Sequence, residues 1–258
     1  MKVYCAEPSG ILEEQIMKVY CANTGDLNQY ILKKSSNLPK FNILFSYYYQ
    51  QNLEVYLPYA NNILIDSGAF TLQQKKNAQI EKYFNNYKKF IEKTCKTKKI
   101  NGYFELDIPD VIGYDKVKEY RDELFEITDK IIPVWHKSLG LKEYKKMCRK
   151  YDYVGVSCVK DRSIPRDKYG KFVKFAHQNH CKIHGLGMLR PNILNKVPFD
   201  SVDGTGWFRT GRFGKYKGKR LNSQYIRKNR FKLVYIELME HIRFQQEMYS
   251  KWRKYHND

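Results

Sequence analysis

The chain has no long apolar run. Its 258 residues contain nothing close to the roughly 20 consecutive apolar residues that span a bilayer. Its first residues also lack the uninterrupted apolar core of a secretory signal peptide, because Glu13 and Glu14 lie among them. We therefore expect a cytoplasmic protein without a membrane partner.

Cysteine is scarce and scattered. The six cysteines form no CxxC or CxC pair, so the sequence predicts neither a zinc ribbon nor a disulfide framework. We expect most of them to be small buried apolar residues. Their positions are Cys5, Cys21, Cys95, Cys148, Cys158 and Cys181.

Linker composition is absent as well. No segment rich in Pro, Gly or Ser divides the chain, which predicts one domain over residues 1–258. The hexapeptide MKVYCA occurs twice, at Met1–Ala6 and Met17–Ala22, and either copy could supply a first strand. The sequence does not distinguish a monomer from a homodimer.

Acidic residues are few relative to basic ones. Lys and Arg number 47 against 27 for Asp and Glu, which gives a net charge of +20. Such a field attracts polyanions, either nucleic acid or an anionic membrane. A Lys-rich composition from an AT-rich genome would produce the same excess. We expect nucleic-acid binding because the excess is large for one domain.

Short β-rich apolar runs alternate with longer amphipathic segments. Runs without polar alternation are typical of strands buried on both faces. The runs are Asn42–Ser46, Asn62–Asp66, Tyr103–Asp107, Ile131–Trp135, Tyr153–Ser157, Lys182–Leu186 and Asp200–Asp203. The helical segments are Gln79–Cys95, Asp115–Asp129, Leu141–Lys150 and Arg166–Asn179.

This alternation indicates an α/β fold with a parallel sheet. Seven runs and one MKVYCA copy make eight, which predicts a single-domain (β/α)8 TIM barrel. An open doubly wound sheet is the alternative, but no G-x-G-x-x-G follows the first strand. Residues from about 222 to 255 have apolar positions at helical spacing and predict one or two closing helices.

The predicted strand ends are acidic or glycine-rich. In a TIM barrel these ends form the active site, so we expect a ring of carboxylates around one pocket. Carboxylates held close together raise one another's pKa, which suits acid–base chemistry. The ends carry Asp66-Ser67-Gly68, Asp107, His136, Gly155, Gly185-Leu186-Gly187 and Asp200-Ser201-Val202-Asp203.

Three of these segments resemble the tRNA-guanine transglycosylases. Leu64–Phe70 is similar to the family's Asp-Ser-Gly-Gly-aromatic motif, Glu105-Leu106-Asp107 to its base-reading strand end, and Phe199–Val202 to its nucleophile strand. Leu44–Tyr48 and Ser201–Trp207 are closer still to the phage-type DNA-guanine transglycosylases, the DpdA group. The resemblance runs in register from about Phe41 to Arg212.

The resemblance implies base exchange in nucleic acid. An Asp attacks C1′ of a guanosine, guanine leaves, and a 7-deazaguanine such as preQ0 or preQ1 displaces the enzyme from C1′. Two displacements retain the anomeric configuration, as in retaining glycosidases. The co-substrate is the 7-deazaguanine base, and no redox or nucleotide cofactor is implied. A phage-encoded enzyme would act in the host cytoplasm.

By motif, Asp66 is implied as general acid/base, with Ser67 and Gly68 beside the substrate. Phe70 is implied to stack on the base, although an ordinary core position would fit equally. Asp107 is implied to accept hydrogen bonds from the N1 and N2 edge of guanine, where the base offers donors.

Four further positions complete the implied base pocket. Gly155 and the turn from Gly185 to Gly187 would let the backbone approach the base. His136 matches a polar position of the family's pocket, though the register could favour Trp135.

The nucleophile stays open between two aspartates. The family alignment through Phe199 selects Asp200, whereas the strand-end argument selects Asp203, which precedes Gly204. Three residues apart on a strand, the two side chains lie on opposite faces, so only one can face the pocket. We favour Asp203.

The chain departs from the tRNA enzymes in one respect. Their zinc site needs three cysteines and a histidine near the C-terminus, and no cysteine follows Cys181. We therefore expect no zinc subdomain and favour DNA over tRNA as substrate. A tRNA-guanine transglycosylase lacking the zinc site is one alternative, and a non-catalytic basic nucleic-acid-binding barrel is another.

A basic segment follows the last strand. Cations, aromatics and glycines alternate from Trp207 to Arg220, an arrangement that suits phosphate contact and base stacking. Arg227, Lys228 and Arg230 either extend this track or form the solvated face of a helix. The predicted phosphate contacts are Arg209, Arg212, Lys215 and Lys217.

Overall fold

Parallel strands and helices alternate along the chain. The computed structural model describes residues 17–22, 31–74, 79–158, 164–206, 214–217 and 219–254. The strands are β1 (Lys18–Ala22), β2 (Phe41–Ser46), β3 (Ala60–Asp66), β4 (Ile100–Phe104), β5 (Ile131–Ile132), β6 (Val134–Trp135), β7 (Tyr153–Ser157), β8 (Lys182–Leu186), β9 (Ser201–Gly204), β10 (Lys215–Tyr216) and β11 (Lys219–Arg220).

The helices follow the strands in the order that βα units require. They are α1 (Leu53–Tyr56), α2 (Ala69–Gln73), α3 (Ile80–Thr94), α4 (Pro109–Ile112), α5 (Tyr114–Phe125), α6 (Gly140–Lys150), α7 (Tyr169–Gln178), α8 (Pro191–Leu194) and α9 (Ser223–Lys254). Short 3-10 turns lie at Tyr47–Asn52, Leu57–Tyr59, Lys137–Leu139 and Arg166–Lys168.

The sheet is a (β/α)8 barrel, as the sequence predicts. Its nine strands pair in parallel in the order β5-β4-β3-β2-β1-β9-β8-β7-β6. β5 and β6 are two halves of one strand position, separated by Pro133, which has no N–H to donate. The first half pairs with β4 and the second with β7, so this broken strand joins the two edges of the sheet.

Alternate strand residues face the barrel interior and the helices. The interior holds a compact apolar cluster that includes Tyr20, Leu44, Leu64 and Phe104. The opposite strand faces pack against the helices in two larger clusters. Helix α3, for example, buries Phe84, Tyr87, Phe90, Ile91 and Thr94, which share one face at helical spacing.

The predicted strands all overlap observed strands, but most bounds differ. Tyr153–Ser157 and Lys182–Leu186 have the predicted bounds. Three others differ by one or two residues at an end, and the predicted Tyr103–Asp107 is Ile100–Phe104 in the structure. The predicted Ile131–Trp135 is broken at Pro133. The second MKVYCA copy supplies β1, between β2 and β9, and the first copy lies outside the described residues.

One long helix, α9, closes the barrel beside β1 and β2. Gln245 on this helix accepts a hydrogen bond from the Asn42 backbone N–H at 3.1 Å. Near its C-terminus, the Trp252 indole donates to the Leu194 carbonyl at 3.1 Å. None of the helices in the described part of the chain is both long and apolar enough to cross a membrane.

Candidate active site

Asp66 lies at the C-terminal end of β3, followed by a tight turn. Gly68 has φ +79° and donates its N–H to Asp66 Oδ2 at 3.2 Å. A Cβ at Gly68 would lie 2.6 Å from the Tyr83 hydroxyl oxygen, so both backbone angle and space require glycine. The Ser67 hydroxyl is buried and has no hydrogen-bond partner among the described residues. The turn therefore fixes Asp66 and presents a buried polar group beside it.

The surroundings of Asp66 favour its protonated form. Burial is the largest cause that raises the pKa of Asp66 to about 7, and the carboxylates of Asp107 and Asp203 act in the same direction. Hydrogen bonds from the Ser46 side chain and the Gly68 N–H oppose the shift. A carboxyl group with this pKa can both give and take a proton near neutral pH.

Asp203 is buried on β9 and is held by two donors. The Gly187 N–H donates to Asp203 Oδ1 at 2.8 Å, and His184 Nε2 lies 3.1 Å from the same oxygen. Both contacts use Oδ1, and no described residue hydrogen-bonds Oδ2. The carboxylate is thereby oriented while one oxygen stays available to a substrate.

A series of hydrogen-bonded polar side chains extends from Asp203 into the barrel. His184 Nδ1 contacts the Ser201 hydroxyl, which in turn contacts the Tyr153 hydroxyl. When His184 donates from Nε2 to Asp203, its Nδ1 faces the Ser201 hydroxyl. Burial raises the pKa of Tyr153, so its hydroxyl keeps its proton and can donate to Ser201.

Asp200 does not belong to this cluster. Its carboxylate accepts the Ile183 N–H at 2.7 Å and lies 2.9 Å from His177 Nε2 on α7. It precedes β9 and faces the helix layer, whereas Asp203 faces the barrel interior. The structure therefore does not bring the Asp200 side chain together with those of Asp66 and Asp203.

Asp107 and His136 meet at the neighbouring strand ends. His136 Nε2 lies 3.2 Å from Asp107 Oδ2, and both side chains are largely buried. Trp135 points the other way: its indole donates to the Gly140 carbonyl at 2.9 Å, and its ring packs on Tyr144. Of the two residues that the sequence left open, His136 is therefore the one at the pocket.

The three glycines have different surroundings. A Cβ on Gly155 would lie 2.9 Å from Leu186 Cδ1 inside the barrel, and one on Gly185 would lie 2.8 Å from Met188 Cβ. These two glycines make room for neighbouring side chains, so the predicted approach of a base to them is not what requires glycine there. Gly187 has φ +67° and contributes its N–H to Asp203.

Phe70 is 68% exposed on α2, so the core interpretation of this residue is wrong. An exposed ring next to the Asp66 turn is open to a planar ligand.

The predicted phosphate contacts lie beyond β9. Lys217 pairs with Glu240 on α9 at 3.1 Å, and the Tyr216 hydroxyl donates to the same carboxylate at 3.2 Å. Lys215 is exposed on β10. Arg209 and Arg212 lie outside the described residues.

Sequence reasoning missed four polar residues inside the barrel. Ser46, Tyr153, His184 and Ser201 reach Asp66 or Asp203 directly or through one another. The signal was available as parity, because His184 pairs with Ser201 across β8 and β9, and Asp203 lies two residues further on the same face. Within the described residues, no group of three or more His, Cys, Asp or Glu side chains could hold a metal ion.

Comparison with known proteins adds little to this geometry. No family model and no curated protein matches the chain. A crystal structure from Burkholderia cenocepacia J2315, to which a lyase/mutase activity is attributed, aligns with a TM-score of 0.43 and 8% identity. The alignment covers 83% of this chain and 90% of that one. A likeness at this level identifies no activity here.

Proposed function

We propose that the protein exchanges guanine in DNA for a 7-deazaguanine base through a covalent glycosyl intermediate on Asp203. The observation that carries this proposal is two carboxyl groups at one end of the barrel: Asp66, partly buried and with its pKa raised to about 7, and Asp203, which is buried and held by Gly187 and His184. Active sites of TIM barrels lie at this end. One group suits proton transfer and the other nucleophilic attack.

The first half of the reaction breaks the glycosidic bond. Asp203 Oδ2 attacks C1′, the C1′–N9 bond breaks with its electron pair leaving on guanine, and Asp66 supplies the proton that the departing base needs. The chain is then joined to the sugar as an ester-like glycosyl intermediate. His184 and the Gly187 N–H keep Oδ1 fixed during the attack.

The second half reverses these steps with another base. N9 of the incoming 7-deazaguanine attacks C1′, the C1′–O bond to Asp203 breaks, and Asp66 takes back the proton that the incoming base loses. Both displacements invert C1′, so the product keeps the original configuration. No external oxidant, reductant or nucleotide is consumed.

Base recognition falls to residues around the same pocket. Asp107 offers acceptors for the N1 and N2 donors of guanine, and His136 Nε2 lies 3.2 Å from that carboxylate. Phe70 is exposed beside the Asp66 turn and would stack on the base. A guanine within a duplex must first be flipped out, at a cost of roughly a few kcal/mol. The net charge of +20 supports capture of the polyanion.

The test is incorporation of label into nucleic acid. Purified protein is incubated with radiolabelled guanine or preQ0 and either duplex DNA or bulk tRNA. We expect label in DNA. Label only in tRNA would move the substrate to the tRNA enzymes, and no label in either, despite tight binding, would leave a non-catalytic nucleic-acid-binding barrel.

A further inference from the structure

The charge of this protein is concentrated in one acid-free segment. Between Asp203 and Glu237 the chain contains no Asp or Glu. This segment supplies ten of the 47 Lys and Arg residues, which equals half of the net charge of +20. The ten are Arg209, Arg212, Lys215, Lys217, Lys219, Arg220, Arg227, Lys228, Arg230 and Lys232.

The described part of this segment forms a hairpin and a helical extension, which we call the basic arm: residues 214–217 and 219–232. The first ten residues of α9, 223–232, contain no buried side chain, and burial begins at Leu233 and Val234. Ten helical residues span about 15 Å. Helical stability in proteins comes mainly from packing, so this extension is not explained by the barrel core.

The hairpin is fixed to the helix and is not a loose loop. A Cβ on Gly214 would lie 2.8 Å from Ile226 Cδ1, and the Leu221 N–H donates to the Gly214 carbonyl at 2.9 Å. Glu240 receives both the Lys217 ammonium and the Tyr216 hydroxyl. Lys217 therefore positions the hairpin, while Lys219 and Arg220 on β11 remain exposed.

The basic arm lies at the same end of the barrel as the carboxylates. It follows β9, whose C-terminal end carries Asp203. Gln245, late in α9, contacts Asn42 near the N-terminal end of β2, so the first turns of α9 lie toward the C-terminal ends of the strands. The pocket is acidic and the arm beside it is basic and carries Tyr225, which is 52% exposed. Aromatic and cationic side chains along one surface suit a nucleic-acid strand, whose phosphates pair with cations and whose unpaired bases stack.

We propose that the basic arm grips the DNA backbone next to the target nucleotide, with Arg227, Lys228 and Lys232 on the helix and Lys219 and Arg220 on the hairpin. The identity of the nucleic acid as DNA rests on the proposed function. The arm holds the flanking phosphates while the flipped guanine enters the acidic pocket. Tyr225 is placed to cover a base left unpaired by flipping.

The test compares two charge-matched triple variants of the full chain. Arg227→Gln/Lys228→Gln/Lys232→Gln removes three of the eight positive charges of the basic arm. Lys89→Gln/Lys93→Gln/Lys96→Gln removes the same charge from exposed positions toward the opposite end of the barrel, at the end of α3 and just after it. Binding of a fluorescent duplex is measured by anisotropy over a range of KCl, without free base, after thermal melting has shown that both variants fold.

We expect the arm variant to lower the slope of log K against log salt by about 1–3, since each lost phosphate contact removes about 0.9. The control should keep the wild-type slope. Equal slopes in both variants would overturn the proposal, because net charge alone would then account for binding. Arm-dependent binding that is stronger for tRNA than for duplex DNA would overturn the choice of DNA.

The two proposals fail in different ways. If the wild-type protein binds DNA through the basic arm but exchanges no base, the proposed reaction is refuted and the role of the arm stands. If the wild-type protein exchanges base in DNA but the arm variant keeps the wild-type salt dependence of binding, the role of the arm is refuted and the reaction stands.

Discussion

Two aspartates of the same chemical type differ because their neighbours differ. Asp66 is surrounded by buried side chains and by two other carboxylates, which together raise its pKa to about 7. Asp203 receives the Gly187 N–H and faces His184. The environment thus favours the proton on Asp66 and fixes one oxygen of Asp203, and the proposed function uses this difference as paired carboxylates are used in glycosyl transfer.

Asp66 makes folding stability depend on pH in a direction that can be calculated. Its folded pKa of about 7 lies above the unfolded value of about 3.9. The folded state therefore binds more protons between these values, so stability falls as pH rises from about 4 to about 7. We expect Asp66→Asn, which cannot ionise, to be more stable than wild type at pH 8 by roughly 1–3 kcal/mol, less than the full shift implies because Asp66 keeps some solvent contact.

Urea unfolding at pH 4.5 and pH 8 measures this difference. The gap between Asp66→Asn and wild type should shrink at the lower pH. Asp129→Asn, at an exposed position, controls for removing one negative charge from a basic protein. A stability difference that does not change with pH would contradict the raised pKa of Asp66.

Some features of the candidate site could be predicted from the sequence, and others could not. Asp followed by Gly or Ser-Gly marks the end of a strand, and this pattern predicted that Asp66 and Asp203 lie at the strand ends. The contact of His184 with Asp203 joins residues 19 apart in sequence and follows from the register of β8 and β9. Sequence motifs do not show how β8 and β9 are aligned, so Asp200 and Asp203 both remained candidates.

At the scale of elements, the barrel is joined at a broken strand. Pro133 interrupts the strand position, and Glu105 accepts the Val134 N–H at 2.5 Å in place of a backbone partner. Arg121 on α5 holds the same carboxylate through two hydrogen bonds, at 2.6 and 3.0 Å. The predicted strand through Asp107 ends at Phe104, and the Glu105 side chain that follows is structural, since it binds the Val134 N–H and Arg121.

This joint should be sensitive to losing one partner. We expect Arg121→Met to destabilise the protein by about 3–5 kcal/mol, since it leaves a buried carboxylate unpaired. Glu105→Gln/Arg121→Met should recover part of the loss, because glutamine still accepts from Val134 and buries no charge.

Urea unfolding measures the loss of stability, and an exposed ion pair serves as the control. Lys150→Met removes the exposed pair with Asp122 at 3.9 Å and should change stability by less than about 1 kcal/mol. If Arg121→Met were no more costly than Lys150→Met, the ion pair would not hold the barrel together.

Element prediction succeeded where local signals agree with the tertiary structure. β7 and β8 have the predicted bounds because β7 ends at the polar Ser157 and β8 ends before the turn at Gly187. The five-residue run at 131–135 is equally apolar, but proline cannot donate to a ladder, so the strand divides. Periodicity predicted one or two helices from about 222 to 255, and the structure has one, α9. Its unpacked first turns depend on where the barrel ends.

For the whole molecule, charge is divided between two regions at one end of the barrel. Asp66, Asp107 and Asp203 lie close together at the strand ends, and the basic arm follows in sequence the strand that carries Asp203. Under the proposed function, a polyanion would be drawn to the arm, while the acidic pocket would disfavour phosphate and accept a neutral base. The total charge was evident from composition, but its placement beside the site requires the fold.

The central claim is a covalent bond between Asp203 and a DNA sugar. A labelled guanine-containing oligonucleotide is incubated with the protein without incoming base, quenched in detergent, and separated by denaturing electrophoresis. The adduct is then digested and its peptide identified by mass spectrometry. We predict an adduct on Asp203, present in Asp200→Asn and absent in Asp203→Asn; an adduct on another residue, or one that survives in Asp203→Asn, would contradict the account.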